Sequence, residues 1–129
     1  MKPFVKWAGG KTKLLNEIEQ RLPADFDEWE DVAYVEPFVG GGAVFYHMLQ
    51  KHNNITKVII NDINDVLIGT YRAIKVNPKP LISGLKELEN EYKSLDTYHR
   101  ELKYYELRSL FNACKEFNTY KIILFLFLN

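Results

Sequence analysis

Apolar residues follow a β-strand pattern at two places in the first half of the chain. Ala33-Tyr34-Val35 is a short run with β propensity, and Lys57-Val58-Ile59-Ile60 is a second run rich in β-branched residues. The stretch from Ala43 to Gln50 between them is apolar enough and long enough for a helix. This order predicts one βαβ unit, the ligand-binding half of an open α/β sheet.

Helical spacing of apolar residues predicts one helix before this unit and one directly after it. The first begins near Thr12 and ends at Pro23, because proline cannot continue a helix. The second follows an N-cap at Asn64 or Asp65. The predicted apolar faces are Leu14, Leu15, Ile18 and Leu22 in the first helix, and Leu67, Tyr71 and Ile74 in the second.

The last third of the chain has helical periodicity throughout. Asn77-Pro78-Lys79-Pro80 breaks the preceding helix, and residues 81–95 then predict an amphipathic helix. A further helix is expected from Thr97 to Phe111, with Leu102, Tyr105 and Leu110 facing inward. The apolar run Ile122 to Leu128 fits a buried strand or one side of a buried helix, and periodicity does not decide between them.

The glycine turn after the first strand is the first candidate for a binding site. Gly40-Gly41-Gly42 allows the backbone to approach a ligand closely, and Asp62 follows the second strand at the same edge of the sheet. A carboxylate at that position suits a ribose diol. Phe45 stands where a dinucleotide fingerprint requires a small residue, which argues against NAD. Glu36 disfavours a pyrophosphate and favours a cationic ligand such as a sulfonium or an ammonium group. The alternative is a glycine turn that binds nothing.

The N-terminal segment contains a second glycine pair, Gly9-Gly10, followed by Lys11 and Thr12. A phosphate-binding loop requires another glycine where Val5 stands, so an NTPase is not favoured. Trp7 could stack on a flat ligand while Lys11 binds an anionic group. By chemistry alone, a core tryptophan beside a surface lysine is the preferred interpretation.

Composition sets the remaining bounds. The chain has 129 residues, 47% of them hydrophobic and 26% charged, with a formal net charge of zero, as expected for one globular domain. The single cysteine, Cys114, cannot form an internal disulfide, which fits a reducing compartment such as the cytoplasm. The three histidines show no metal-ligand spacing, so no metal is expected. The longest apolar run is too short to span a membrane, and no signal peptide is recognisable.

Three phrases of the sequence, in this order, resemble the Dam-like, or D12 class, adenine-N6 DNA methyltransferases. They are Phe4-Val5-Lys6-Trp7-Ala8-Gly9-Gly10-Lys11, Glu36-Pro37-Phe38-Val39-Gly40-Gly41-Gly42 and Asn61-Asp62-Ile63-Asn64. The resemblance covers the whole chain but only the N-terminal half of a family member. It implies a partial Rossmann-like class I methyltransferase sheet with flanking helices, and the start of a helical target-recognition segment. The implied domains are residues 1–80, which bind S-adenosyl-L-methionine, and residues 81–129, which lead into the target-recognition region.

The same resemblance implies transfer of a methyl group from S-adenosylmethionine to adenine N6 in double-stranded DNA, in a bacterial or phage restriction-modification system. Trp7 is expected to line the cofactor pocket, with Lys11 and the backbone of Ala8-Gly9-Gly10 near the amino-acid end of the cofactor. Asp62 is expected to hold the ribose hydroxyls. The remaining implied roles are a floor below the methionine part, formed by Glu36, Phe38 and Gly40, and a contact of Ile63 with the adenine.

The family's catalytic Asp-Pro-Pro-Tyr motif does not occur in these 129 residues. Asn77-Pro78-Lys79-Pro80 is a near match that lacks adjacent prolines and a following aromatic residue, so it is not interpreted as catalytic. The sequence thus resembles a truncated gene product or fragment that is inactive alone, whose apolar last residues are expected to be left uncovered. One alternative is a non-catalytic cofactor-binding subunit of a split methyltransferase. Another is a small-molecule methyltransferase, which would share the glycine turn but not Trp7-Ala8-Gly9-Gly10-Lys11. The sequence leaves the oligomeric state and the DNA recognition sequence open.

Overall fold

The computed structural model describes residues 2–129, a mixed α/β chain with a small parallel sheet and, within those residues, six α-helices. The chain divides into two compact units, the first extending to Ile63 and the second running from Asn64 to Asn129. The two units are defined by how closely their residues pack together. The functional boundary expected after residue 80 stays a prediction, since compactness alone does not locate a function.

The first unit contains the predicted βαβ arrangement. Strand β1 (Val32–Glu36) and strand β2 (Ile55–Ile60) pair in parallel, and helix α2 (Ala43–Lys51) connects them. Glu36 is the last paired residue of β1 and lies opposite Ile60 of β2. The glycine turn therefore begins at the carboxyl end of β1, and Asp62 follows the carboxyl end of β2, as predicted.

The helix expected near Thr12 is shorter than predicted. The chain forms a 3₁₀ turn at Lys11–Leu14 and then helix α1 (Leu15–Glu19), so the α-helix ends before Pro23. Leu14 is 52% exposed, contrary to the predicted apolar face. Three other members of that face, Leu15, Ile18 and Leu22, do pack against the core cluster of this unit. The buried residues of that cluster are Phe26, Val44 and Met48.

The second unit is helical. It consists of α3 (Asp65–Val76), α4 (Lys79–Ser94), α5 (Thr97–Ala113) and α6 (Thr119–Leu128). Asn64 caps α3 by accepting a hydrogen bond from the backbone N–H of Leu67, so the first of the two predicted caps is correct. Asn77 ends α3, and α4 begins at Lys79, which confirms the predicted break.

Residues 122–128, for which the sequence allowed either a strand or a helix, belong to helix α6. It packs against α3, α4 and α5, and Ile122, Ile123 and Leu124 are at most 9% exposed. The expectation that the apolar end of the chain is left uncovered is therefore wrong for these three residues. Their partners come from the same unit.

The predicted inward face of α5 is also wrong. Leu102, Tyr105 and Leu110 are each more than 40% exposed, whereas Leu107 is 2% exposed. Phe111, one turn after Leu107, stacks on Phe125 of α6. Apolar residues occur on more than one side of α5, and contacts with its neighbours select the buried one.

None of the helices within residues 2–129 is both long enough and apolar enough to cross a lipid bilayer.

Candidate cofactor site

A cavity of about 490 Å³ lies at the carboxyl end of the two strands. Its walls come from three parts of the first unit, residues 3–12, residues 36–44 and Asp62. Cavities that bind small ligands and cofactors typically have volumes of about 300–1,000 Å³. The size and position of this cavity are those of a ligand site in an open α/β sheet.

Backbone hydrogen bonds attach the glycine turn to the end of β2. The N–H of Asn61 donates to the carbonyl of Glu36 over 2.9 Å, and the N–H of Val39 donates to the carbonyl of Asn61 over 2.9 Å. The N–H of Gly40 donates to Oδ2 of Asp62, also over 2.9 Å. Asp62 is thus both a wall of the cavity and a support for the turn.

The N-terminal segment packs directly on this turn. A β-carbon at Gly40 would lie 2.9 Å from Cδ1 of Trp7, and one at Gly41 would lie 3.1 Å from the carbonyl oxygen of Val5. Gly40 also has a φ of 51°, in the left-handed region that favours glycine. The close approach of Trp7 therefore depends on the absence of side chains at these two positions.

A lysine–carboxylate pair joins the same two segments. Nζ of Lys11 donates to Oε1 of Glu36 over 3.1 Å and to the backbone carbonyl of Phe38 over 2.6 Å. The hydroxyl of Tyr34 donates to the other carboxylate oxygen, Oε2 of Glu36, over 2.6 Å. Burial, together with this hydrogen bond to a carboxylate, raises the pKa of Tyr34 well above its ordinary value.

This pairing changes the electrostatic interpretation of the turn. Glu36 is only 8% exposed, and its charge is compensated by the ammonium group of Lys11. The acidic character that the sequence indicated for this edge therefore rests on Asp62 more than on Glu36.

The structure brings together most of the residues singled out in the sequence. The cavity is lined by nine of them: Trp7, Ala8, Gly9, Gly10, Lys11, Glu36, Phe38, Gly40 and Asp62. Ile63, the tenth, does not belong to the lining and is 94% exposed. Their roles in cofactor binding stay predictions.

Sequence reasoning missed Tyr34 as a contributor to this site. The pattern that could have revealed it is its position two residues before Glu36 on a strand, because alternate residues of a strand share one face.

Among residues 2–129, no cluster of three or more His, Cys, Asp or Glu residues has a geometry that could hold a metal ion.

Comparison with known sequences assigns the family. A family model described as D12 class N6 adenine-specific DNA methyltransferase matches residues 7–129. The type II methyltransferase M.MjaIII of Methanocaldococcus jannaschii is 44% identical over 133 residues, covering 100% of this chain and 45% of that protein. The DNA adenine methylase of Salmonella typhi is 36% identical over 126 residues, with coverages of 98% and 39%. The type II methyltransferase M1.LlaDCHI of Lactococcus lactis subsp. cremoris is 38% identical over 91 residues, with coverages of 70% and 28%.

The chain spans less than half the length of each of these relatives. The family match nevertheless extends over nearly all of it, including every segment that lines the cavity beyond residue 6. This chain belongs to the D12 class N6 adenine-specific DNA methyltransferases.

Proposed function

We propose that this chain forms the S-adenosylmethionine-binding part of a site-specific adenine-N6 DNA methyltransferase. The whole protein would transfer the methyl group to adenine N6 in double-stranded DNA, in the cytoplasm and within a restriction-modification system. The observation that carries the proposal is the convergence of the Trp7 segment, the glycine turn and Asp62 around one cavity. We further propose that β1 and β2 belong to a Rossmann-like class I methyltransferase sheet and that α2 is one of its flanking helices.

The residues present fit the proposed cofactor. The missing β-carbons of the glycine turn let Trp7 pack directly on it, and Trp7 and Phe38 supply aromatic surface at the cavity. Asp62 supplies a carboxylate, which can accept several hydrogen bonds at once, as a ribose diol requires. When bound, S-adenosylmethionine supplies an electrophilic methyl group on a sulfonium centre.

The predicted site residues each have a proposed task. Asp62 holds the ribose hydroxyls while its Oδ2 atom keeps the amide of Gly40 in place. The backbone of Ala8-Gly9-Gly10 approaches the amino-acid end of the cofactor, and Lys11 holds that segment against Glu36 and Phe38. Ile63 exposes its apolar side chain next to Asp62, where an adenine ring could pack on it.

Titration calorimetry with the purified chain tests the proposal. We expect saturable binding of S-adenosylmethionine, and we expect Asp62→Ala to weaken it by about 1.5–3 kcal/mol, the value of hydrogen bonds to a charged group. Asp62→Asn is the matched control, because its amide oxygen can still accept from Gly40 while the charge is lost. It should therefore bind less tightly than the native chain but more tightly than Asp62→Ala.

Two outcomes would contradict the proposal. One is the absence of binding by the native chain. The other is an unchanged affinity in an Asp62→Ala variant whose circular dichroism spectrum shows that it is folded. The transfer step is tested with the whole protein by incorporation of tritiated methyl groups into duplex DNA, where the label should be recovered as N6-methyladenine.

A further inference from the structure

The cavity depends on a contact between two segments that are far apart in the sequence. Lys11 belongs to the N-terminal wall, and Phe38 belongs to the wall that follows β1. The ammonium group of Lys11 lies 2.6 Å from the carbonyl oxygen of Phe38 and 3.1 Å from Oε1 of Glu36. The position of one wall relative to the other is therefore set in part by where this ammonium group is held.

The orientation of the Glu36 carboxylate determines where the ammonium group sits. The Glu36 side chain is 10% exposed, so its charge is stabilised mainly by protein groups rather than by water. Lys11 occupies one oxygen, and the Tyr34 hydroxyl donates to the other over 2.6 Å. With one donor on each oxygen, rotation of the carboxylate would break both contacts.

Tyr34 is well suited to hold this carboxylate. It lies two residues before Glu36 on β1, so both side chains leave the strand on the same face. A tyrosine hydroxyl is protonated, and therefore a donor, in neutral solution, and the raised pKa of Tyr34 extends this into alkaline solution. Tyr34 is not among the residues that line the cavity, so any effect it has on a ligand passes through Glu36.

We propose that Tyr34 is a positioning residue of the cofactor site: its hydroxyl holds the Glu36 carboxylate in the orientation that keeps Lys11 on the carbonyl of Phe38. The consequence for binding rests on the function proposed above. The contact between Tyr34, Glu36 and Lys11 does not, because it exists without a ligand.

Tyr34→Phe removes the hydroxyl and keeps the ring. We expect the affinity for S-adenosylmethionine to fall by roughly 3- to 10-fold, the range of one net hydrogen bond. Tyr46→Phe is the matched control, because it removes a hydroxyl from a half-buried tyrosine of the same unit that does not line the cavity. It should leave the affinity unchanged.

A double-mutant cycle separates positioning from simple loss of stability. In a Lys11→Met background, Tyr34→Phe should change the affinity less than twofold, because the group that Tyr34 positions is already gone. A purely structural role would instead give the same fold-change in both backgrounds. Equal effects in both backgrounds, or no effect of Tyr34→Phe in the native background, would refute the positioning role.

A measurement without ligand keeps the two proposals distinguishable. Hydrogen exchange of the Lys11 ammonium protons, followed by ¹⁵N NMR, should accelerate at least about threefold in Tyr34→Phe and remain unchanged in Tyr46→Phe. Unchanged exchange in Tyr34→Phe overturns the inference whether or not the cofactor binds. Accelerated exchange in a chain that does not bind S-adenosylmethionine supports the contact and overturns the proposed function.

Discussion

Two physical demands meet at Gly40. Its φ of 51° lies in the left-handed region, and its missing β-carbon leaves space for the ring of Trp7. The motif in the sequence indicated the first demand, because glycine runs are typical of turns with positive φ. The second was beyond the sequence, since Trp7 is 33 positions away and nothing local indicates which side chain will pack there.

Gly40→Ala should therefore destabilise the first unit by more than the strain of an alanine with left-handed backbone angles would alone. We expect a loss of about 2–3 kcal/mol in the free energy of unfolding, because the left-handed strain of about 1 kcal/mol adds to overpacking against Trp7. Urea titration followed by tryptophan fluorescence, in a Trp29→Phe background that leaves Trp7 as the reporter, measures both the stability and the displacement of the ring.

Gly9→Ala is the matched control for that experiment. Gly9 has a φ of 75°, but a β-carbon there would meet no atom within 4 Å. It should lose only about 1 kcal/mol and leave the fluorescence of native Trp7 unchanged. Equal losses at both positions would show that the contact with Trp7 does not limit residue 40.

At the scale of elements, one carboxylate ties α1 to α2. Glu19 at the end of α1 contacts Nε2 of His47 at 2.5 Å, Nζ of Lys51 at 2.7 Å and Nε2 of His52 at 2.8 Å. His52 also contacts Oδ1 of Asp27 through Nδ1 at 2.6 Å. His47 and His52 both belong to this packing contact.

This cluster predicts that the stability of the folded chain falls at acidic pH. Burial alone would raise the pKa of Glu19, but hydrogen bonds from Lys51, His47 and His52 outweigh it and lower the pKa to about 2, from 4.5. Since the folded pKa is depressed, the stabilisation is complete above about pH 4.5 and is lost as the pH falls towards 2. Glu19→Gln should lower the urea midpoint at pH 6 and reduce its pH dependence between 4.5 and 2.

Glu17→Gln provides the comparison. Glu17 lies two residues earlier and pairs with Arg21 on the surface, with 58% of its side chain exposed. A pair so exposed contributes little, so this variant should follow the native pH profile closely. If Glu19→Gln keeps the native pH profile as well, the cluster does not control acid stability.

The predictions for the elements succeeded where the information was local. The two strands, α2 and the helices over residues 79–113 follow from turn residues, caps and apolar spacing, which act within a few positions. They failed where packing decided: α1 is short, and α5 buries Leu107 rather than the predicted face. Both outcomes depend on neighbours that the periodicity of one helix does not specify.

At the scale of the whole molecule, opposite charges balance. The chain has 17 Lys and Arg residues and 17 Asp and Glu residues, and its sequence pI is about 6.8. Molecules with little net charge repel each other weakly and associate more readily. The net charge therefore bears on solubility rather than on the fold.

We expect the solubility of the protein to be lowest near pH 6.8. The measurement is the protein concentration that remains in solution after precipitation with polyethylene glycol at a series of pH values. Lys75→Glu, at an exposed position of α3, lowers the formal net charge by two and should move the minimum to lower pH. Lys75→Arg keeps the charge and should not move it. A minimum that is the same in all three proteins would mean that apolar surface, not charge, limits solubility.

The sequence by itself determined the order of the elements as far as α5, the glycine turn at the carboxyl end of a strand, and nine of the residues that line the cavity. Those features arise from local backbone preferences and from motifs that keep their residues close along the chain. The tertiary structure alone decided that residues 122–128 are helical, and that Glu36 pairs with Lys11 and Tyr34. Such contacts join positions distant in sequence or choose between equally allowed local structures, and only the packing of the folded chain makes that choice.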